Sequence, residues 1–86
     1  MEEKILEILE EECEEVIDYD GDDMLGDGVI DSFTLVSIVS EIENEFGIVI
    51  DAEYVIADNF KNKEEIIALV KRVIEENKEG NHLKED

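Results

Sequence analysis

The chain holds one histidine and one cysteine, His82 and Cys13, and this limits the chemistry it can run. A nucleophilic side chain needs a neighbouring base to activate it. His82 sits in a polar C-terminal stretch, where a solvated role suits it. Cys13 recurs with Ile5, Leu6, Leu9, Val16 and Ile17 at helical spacing, so it reads as a small buried hydrophobe rather than a reactive thiol. A Ser–His or Cys–His site is therefore not expected. Carboxylates are so numerous that no pair stands out as an acid–base couple, and no pattern suggests a closed pocket that would raise one carboxylate's pKa.

Metal chemistry is weighed in the same way. Asp18, Asp20 and Asp22 fall at positions 1, 3 and 5 of a possible calcium loop. That loop also needs a tight-turn glycine at position 6 and a bidentate glutamate at position 12. Here those positions hold Asp23 and Val29. No dedicated metal site is predicted, only weak binding of divalent cations to clustered carboxylates. One cysteine and one histidine far apart do not make a zinc site. Gly26-Asp27-Gly28 is too short and too acidic to cradle a nucleoside phosphate.

What remains is Gly28-Val29-Ile30-Asp31-Ser32-Phe33. A serine lies just inside a predicted helix start, after an acidic loop and before an apolar residue. Asp31 is a good N-cap, because its carboxylate can accept from free backbone N–H groups of the first turn. Taken alone, Asp-Ser at a helix start is common, and Ser32 would be an ordinary first-turn residue.

The elements that position this stretch follow from periodicity. Residues 2–17 predict one amphipathic helix, and residues 18–31 a long loop punctuated by Gly21, Gly26 and Gly28. Met24, Leu25, Val29 and Ile30 are expected to pin that loop to the core. A loop of this length in so small a domain is often functional. Residues 32–46 predict a second helix, with Phe33, Val36, Val39, Ile42 and Phe46 as its apolar stripe, widened by Leu35 and Ile38. Gly47 suits the left-handed stop. Ile48-Val49-Ile50 has strand-like composition but no partner strand, and is expected as an extended connection. Asp51 is expected to cap a short helix over 52–57. Asn62-Lys63-Glu64-Glu65 matches a capping box with Asn at the cap, opening a last helix from 63 to about 76. Ile66, Ile67, Leu69, Val70, Val73 and Ile74 should form its buried face. The expected class is all-α, three long helices and one short one around a single core. Residues 1–77 would be the domain and residues 78–86 a flexible polar tail.

Composition bounds the function. The chain has 86 residues, 43% of them hydrophobic, enough for one domain with a modest core. Asp and Glu number 27 against 7 Lys and Arg, a net charge of -20. Such a surface repels nucleic-acid backbones and anionic membranes. It favours basic protein partners through charge steering. A lone cysteine excludes an intrachain disulfide and fits a reducing compartment. With no apolar run for a signal peptide or membrane span, a cytoplasmic monomer is expected.

Asp31-Ser32-Phe33, with the stripe after it, resembles the acyl carrier proteins and the related peptidyl and D-alanyl carriers. The family signature is Asp-Ser followed by a large apolar residue. Val36, Ile38, Val39, Ile42 and Phe46 match the family's buried positions, and Glu43-Asn44-Glu45-Phe46-Gly47-Ile48 resembles the end of its second helix. Ala57-Asp58-Asn59-Phe60 resembles the exit of the short helix, so the match spans residues 2 to 76. The resemblance implies an acyl-carrier-like bundle that is not an enzyme. It implies 4'-phosphopantetheine, taken from coenzyme A by a phosphopantetheinyl transferase and attached to the Ser32 hydroxyl. Asp31 would cap the helix and take part in transferase recognition. The arm's thiol would hold an acyl or aminoacyl thioester, supplied by a loading ligase and passed to accepting enzymes with basic docking patches. Phe33, Thr34, Leu35, Ser37, Glu41 and Glu43 would meet those partners. Thr34 and Ser37 stand where fatty-acid carriers are often acidic, and Phe33 in place of Leu is similar to D-alanyl and specialised-pathway carriers. The alternative is an acidic helical docking module that is never modified.

Overall fold

Leucine and isoleucine at helical spacing build α1 (Glu2–Glu12), which buries Ile5, Ile8 and Leu9. This computed structural model describes the backbone of residues 1–85 and the side chains of residues 1–77. Among them the elements are all helical: α1, the single turn α2 (Glu15–Asp18), α3 (Ser32–Phe46), two 3-10 turns, and α4 (Lys63–Glu85). The core joins α1, α3 and α4, with Met24, Ile30, Ile48, Ile50 and Phe60 plugging it from the connections. No helix of the described residues is long and apolar enough to cross a membrane.

The helix expected over 2–17 is broken. Cys13 is extended, with φ -164° and ψ 97°, and α2 starts afresh at Glu15. Glu10, Glu11, Glu12, Glu14 and Glu15 crowd this end, and the last turn of α1 holds no base. Negative charge at a helix C-terminus opposes the dipole, and like charges four apart repel. The break turns Val16 fully into the core. Cys13 is half-buried, and its Sγ–H donates to the Val29 carbonyl at 3.5 Å.

The helix expected over 52–57 is instead two 3-10 turns, Ala52–Tyr54 and Ala57–Phe60. Asp51 precedes the first but makes no side-chain capping bond. The β-branched Val55 and Ile56 separate the turns, and such residues resist a continuous helix. Asn59 Nδ2 donates to the Tyr54 carbonyl at 2.9 Å and ties the two together. Phe60 is buried, and its turn packs on α4.

Ile48-Val49-Ile50 is the extended connection expected, with Ile48 and Ile50 buried and Val49 outside between them. Gly47 takes the left-handed conformation, φ 63°, and Ile48 N–H reaches back to the Glu43 carbonyl at 3.2 Å. This is a Schellman ending for α3. At the start of α4, Asn62 Oδ1 accepts from Glu65 N–H at 3.0 Å, the cap expected there. The α4 backbone then runs past the expected end near 76, to Glu85. No proline interrupts 77–85, and Lys78, Glu79, Leu83 and Lys84 are good helix formers around Gly80. The side chains of 78–86, and with them the expectation of a flexible tail and the role of His82, lie outside the described residues.

Candidate functional site

The connection from Tyr19 to Asp31 is held from both ends. Met24 and Ile30 are buried, and Val29 and Ile30 N–H groups both turn back to the Met24 carbonyl. Gly28, at φ 78°, makes the left-handed reversal that lets them do so. Carboxylates stitch the outer rim. Tyr19 O–H donates to Asp27 Oδ2 at 2.5 Å and accepts from Asp23 N–H at 2.8 Å, while Asp23 Oδ1 accepts from Gly26 N–H at 3.0 Å. The Asp27 bond favours the protonated phenol, so the Tyr19 pKa lies above its ordinary value. Asp23 and Asp27 thus serve the loop itself. Among the described residues, no three His, Cys, Asp or Glu are grouped to hold a metal ion.

The start of α4 clamps the other side of this loop. Met24 N–H donates to the Lys61 carbonyl at 3.2 Å, Asn62 Nδ2 to the Gly21 carbonyl at 3.0 Å, and Lys63 Nζ to the Ile17 carbonyl at 2.5 Å. The last is a charge-assisted bond at the end of α2, where the dipole also favours a cation.

Ser32 stands between two anchors, Ile30 on the loop side and Leu35 on the helix side, both buried. The three residues between Ile30 and Thr34 face solvent. Asp31 is extended and caps α3: its Oδ1 accepts from Thr34 N–H at 2.8 Å. That bond to Thr34 holds the Asp31 carboxyl below its ordinary pKa. Ser32 is the first residue of α3, so its hydroxyl projects from an exposed helix N-terminus. An open depression of about 430 Å³ begins beside it, lined by Leu25, Gly28, Val29 and Ile30 from the loop, by the capping Asp31, and by Ser32 and Thr34 from the helix.

Comparison with protein-family models, with curated proteins and with solved structures finds no match in any of the three.

The remaining residues expected to meet partners divide by position on α3. Phe33, Ser37 and Glu41 are exposed on one face, four residues apart. Thr34 is half-buried beside its cap. Leu35 is only 7% exposed and belongs to the core, on the arc Leu35, Ile38, Val39, Ile42. That arc follows the i, i+3, i+4, i+7 rule and leaves Phe33 and Val36 outside, 86% and 59% exposed. Their expected place in the buried stripe is thereby corrected. A helix with apolar residues over more than half its circumference does not reveal which arc packs. Glu43 is corrected too: it is half-buried, and its Oε2 accepts from Ile50 N–H at 2.8 Å, holding the extended connection. Val36 and the loop latch Tyr19 were not anticipated from the sequence. Val36 lies three residues after Phe33, which was signal enough to pair them.

Proposed function

We propose that this chain is a carrier domain. It would hold a 4'-phosphopantetheine arm on Ser32, shuttle a thioester-bound acyl or aminoacyl group between partner enzymes, and work in the cytoplasm. The observation that carries the reading is the place of Ser32, an exposed hydroxyl at the first position of α3, between a buried loop anchor and a buried helix anchor. The residues present fit the group. A phosphodiester at a helix N-terminus is favoured by the dipole and by N–H groups without intrahelical partners. Asp31 already takes the Thr34 N–H and fixes the first turn, so the attachment point is set before modification. In the transfer, the Ser32 Oγ–phosphorus bond forms as the pyrophosphate link of coenzyme A breaks. Adenosine 3',5'-bisphosphate leaves, and the serine proton passes to the transferase or solvent. The domain itself would activate nothing; it would raise the effective concentration of its tethered cargo.

Charge supports partners with basic docking patches. Lys4 is the only base before Lys61, so the part of the chain bearing Ser32 is almost wholly acidic. Lys4 lies 3.7 Å from Glu7 and 3.9 Å from Glu45, which leaves Glu41 for a partner. The fold supports an acyl-carrier-like bundle as well: helices of 11, 15 and 23 residues with short elements between them.

The test is intact-protein mass spectrometry after incubation with coenzyme A and a broad-specificity phosphopantetheinyl transferase. A gain of one phosphopantetheine, mapped to Ser32 and lost in Ser32→Ala, is expected. The Ala variant should keep the circular dichroism of the parent, since an exposed hydroxyl is removed. A second reading, the unmodified docking module, draws on the exposed Phe33 and Val36 beside Glu41. It becomes the leading one if the folded protein gains no mass with its native transferase either.

A further inference from the structure

The break at Cys13 builds a second depression, on the outer side of α1. Leu6 and Ile17 form its floor, and Glu3, Glu7 and Glu10 its rim. In an unbroken helix Leu6 and Ile17 would stand roughly 16 Å apart along the axis. Instead α2 packs back on α1, and these two half-buried residues line one space of about 260 Å³. Each touches the core on one side and leaves the other to the depression. The rim carboxylates are exposed and fall at i, i+4 and i+7 of α1, a row roughly 10 Å long. Among the described residues Glu3 and Glu10 form no ion pair, and Glu7 meets only Lys4, at 3.7 Å. Lys63 comes near, but its Nζ is engaged by the Ile17 carbonyl and does not line the depression.

We propose that this depression docks a helix of a partner protein, one that is apolar along its centre and carries Lys or Arg along one edge. The space is smaller than the roughly 300–1,000 Å³ of small-ligand pockets, so it takes side chains rather than a ligand of its own. A partner helix lying along α1 sets an apolar side chain on Leu6 and Ile17. Bases one and two turns apart on that helix share the rise of the Glu3–Glu7–Glu10 row. Arginine suits the row well, since its planar group can pair with a carboxylate through two N–H bonds. The apolar floor turns a general attraction to a chain of net charge -20 into one place and one register. The same net charge disfavours a second copy of this chain as the occupant. None of these residues lines the depression at Ser32 or lies on the Phe33–Val36 face. A partner can therefore hold the domain here while Ser32 stays open. The site stands whether or not Ser32 carries a group.

The probe is a synthetic peptide of about 15 residues, its helix held by an internal staple. It carries Arg at i, i+4 and i+7, with Leu on the adjoining stripe. A control peptide has the same composition with Arg and Leu scrambled around the helix. Each is titrated into the whole isotope-labelled chain at moderate salt, and amide shifts are followed. Saturable shifts centred on Leu6, Glu10 and Ile17 are expected with the first peptide, and weaker, scattered ones with the control. Glu3→Gln with Glu10→Gln removes two exposed charges and should weaken binding about fivefold or more. Glu53→Gln with Asp58→Asn removes the same net charge from exposed positions elsewhere, and should leave affinity within about twofold. Equal weakening by both pairs, equal binding of the scrambled peptide, shifts centred on Phe33 and Val36, or no binding at all overturns the site. Concentration-dependent shifts at Leu6 and Ile17 in the chain alone also overturn it, and give this face to a second copy. Loading of Ser32 is read separately by mass, so failure here leaves the carrier reading untouched.

Discussion

Replacing Asn62 tests whether the start of α4 holds the loop that presents Ser32. Asn62 makes two bonds of different kinds: Oδ1 caps α4 through Glu65 N–H, and Nδ2 reaches the Gly21 carbonyl, 41 residues away in sequence. Serine at this position keeps a capping oxygen but has no amide to donate across. Asn62→Ser should therefore lose one cross-chain hydrogen bond, about 0.5–1.5 kcal/mol net. Asn62→Ala should lose that bond and the cap, and removing a cap costs typically about 1 kcal/mol more. For a domain of this size each kcal/mol moves Tm by roughly 4–8 °C. The serine variant should thus melt a few degrees below the parent, and the alanine variant about twice as far. Urea titration should give falling midpoints at constant slope, since neither change alters the surface exposed on unfolding. Hydrogen exchange at Met24 N–H, which donates to the Lys61 carbonyl beside Asn62, should quicken in both variants. If Asn62→Ser melts with the parent and leaves Met24 protected, the clamp contributes nothing and the reasoning fails. If serine and alanine cost the same, the cap is the part that is wrong.

Other outcomes follow from the electrostatics. Asp31 has its pKa lowered in the folded state by the Thr34 N–H, so its capping contribution is full above the ordinary carboxylate pKa. It is lost as pH falls through the lowered value; Asp31→Asn should remove that part of the acid dependence, followed by thermal melts across acid pH. Tyr19 and Tyr54 are both raised above pKa 10.0, by hydrogen bonds to Asp27 and Glu76. Each then contributes stability below that value that fades as pH rises through the folded pKa, and tyrosinate absorbance should develop later in the folded protein than in urea. Tyr19→Phe should remove the delay at that ring. Twenty excess negative charges repel in the compact state, so added salt should raise Tm. A melting temperature that is flat across ionic strength would count against that account.

Much of this molecule is set by local rules that act over a few residues. Apolar spacing located α3 and the core of α4, Asp31 and Asn62 announced their caps, and Gly47 its left-handed stop. Each depends on groups within one or two helical turns, which a linear chain displays directly. The serine at the head of α3 belongs to this class, because a cap and the residue after it are defined by position alone. Other features needed the chain folded. The break at Cys13 brings Val16 into the core and lets the thiol meet Val29, a contact between segments far apart in sequence. Val55 and Ile56 divide the expected short helix into two turns, because Phe60 must reach the core and Asn59 must tie back to Tyr54. Leu35 goes inward while Phe33 and Val36 stay out, because α1 covers one arc of α3. Glu43 looked like a surface charge and holds the Ile50 amide. The loop is fastened by Asn62 to Gly21 and Lys63 to Ile17, bonds made only when distant segments meet. Periodicity states that a face is apolar; which neighbour covers it, and which polar groups are taken in the process, is decided by packing.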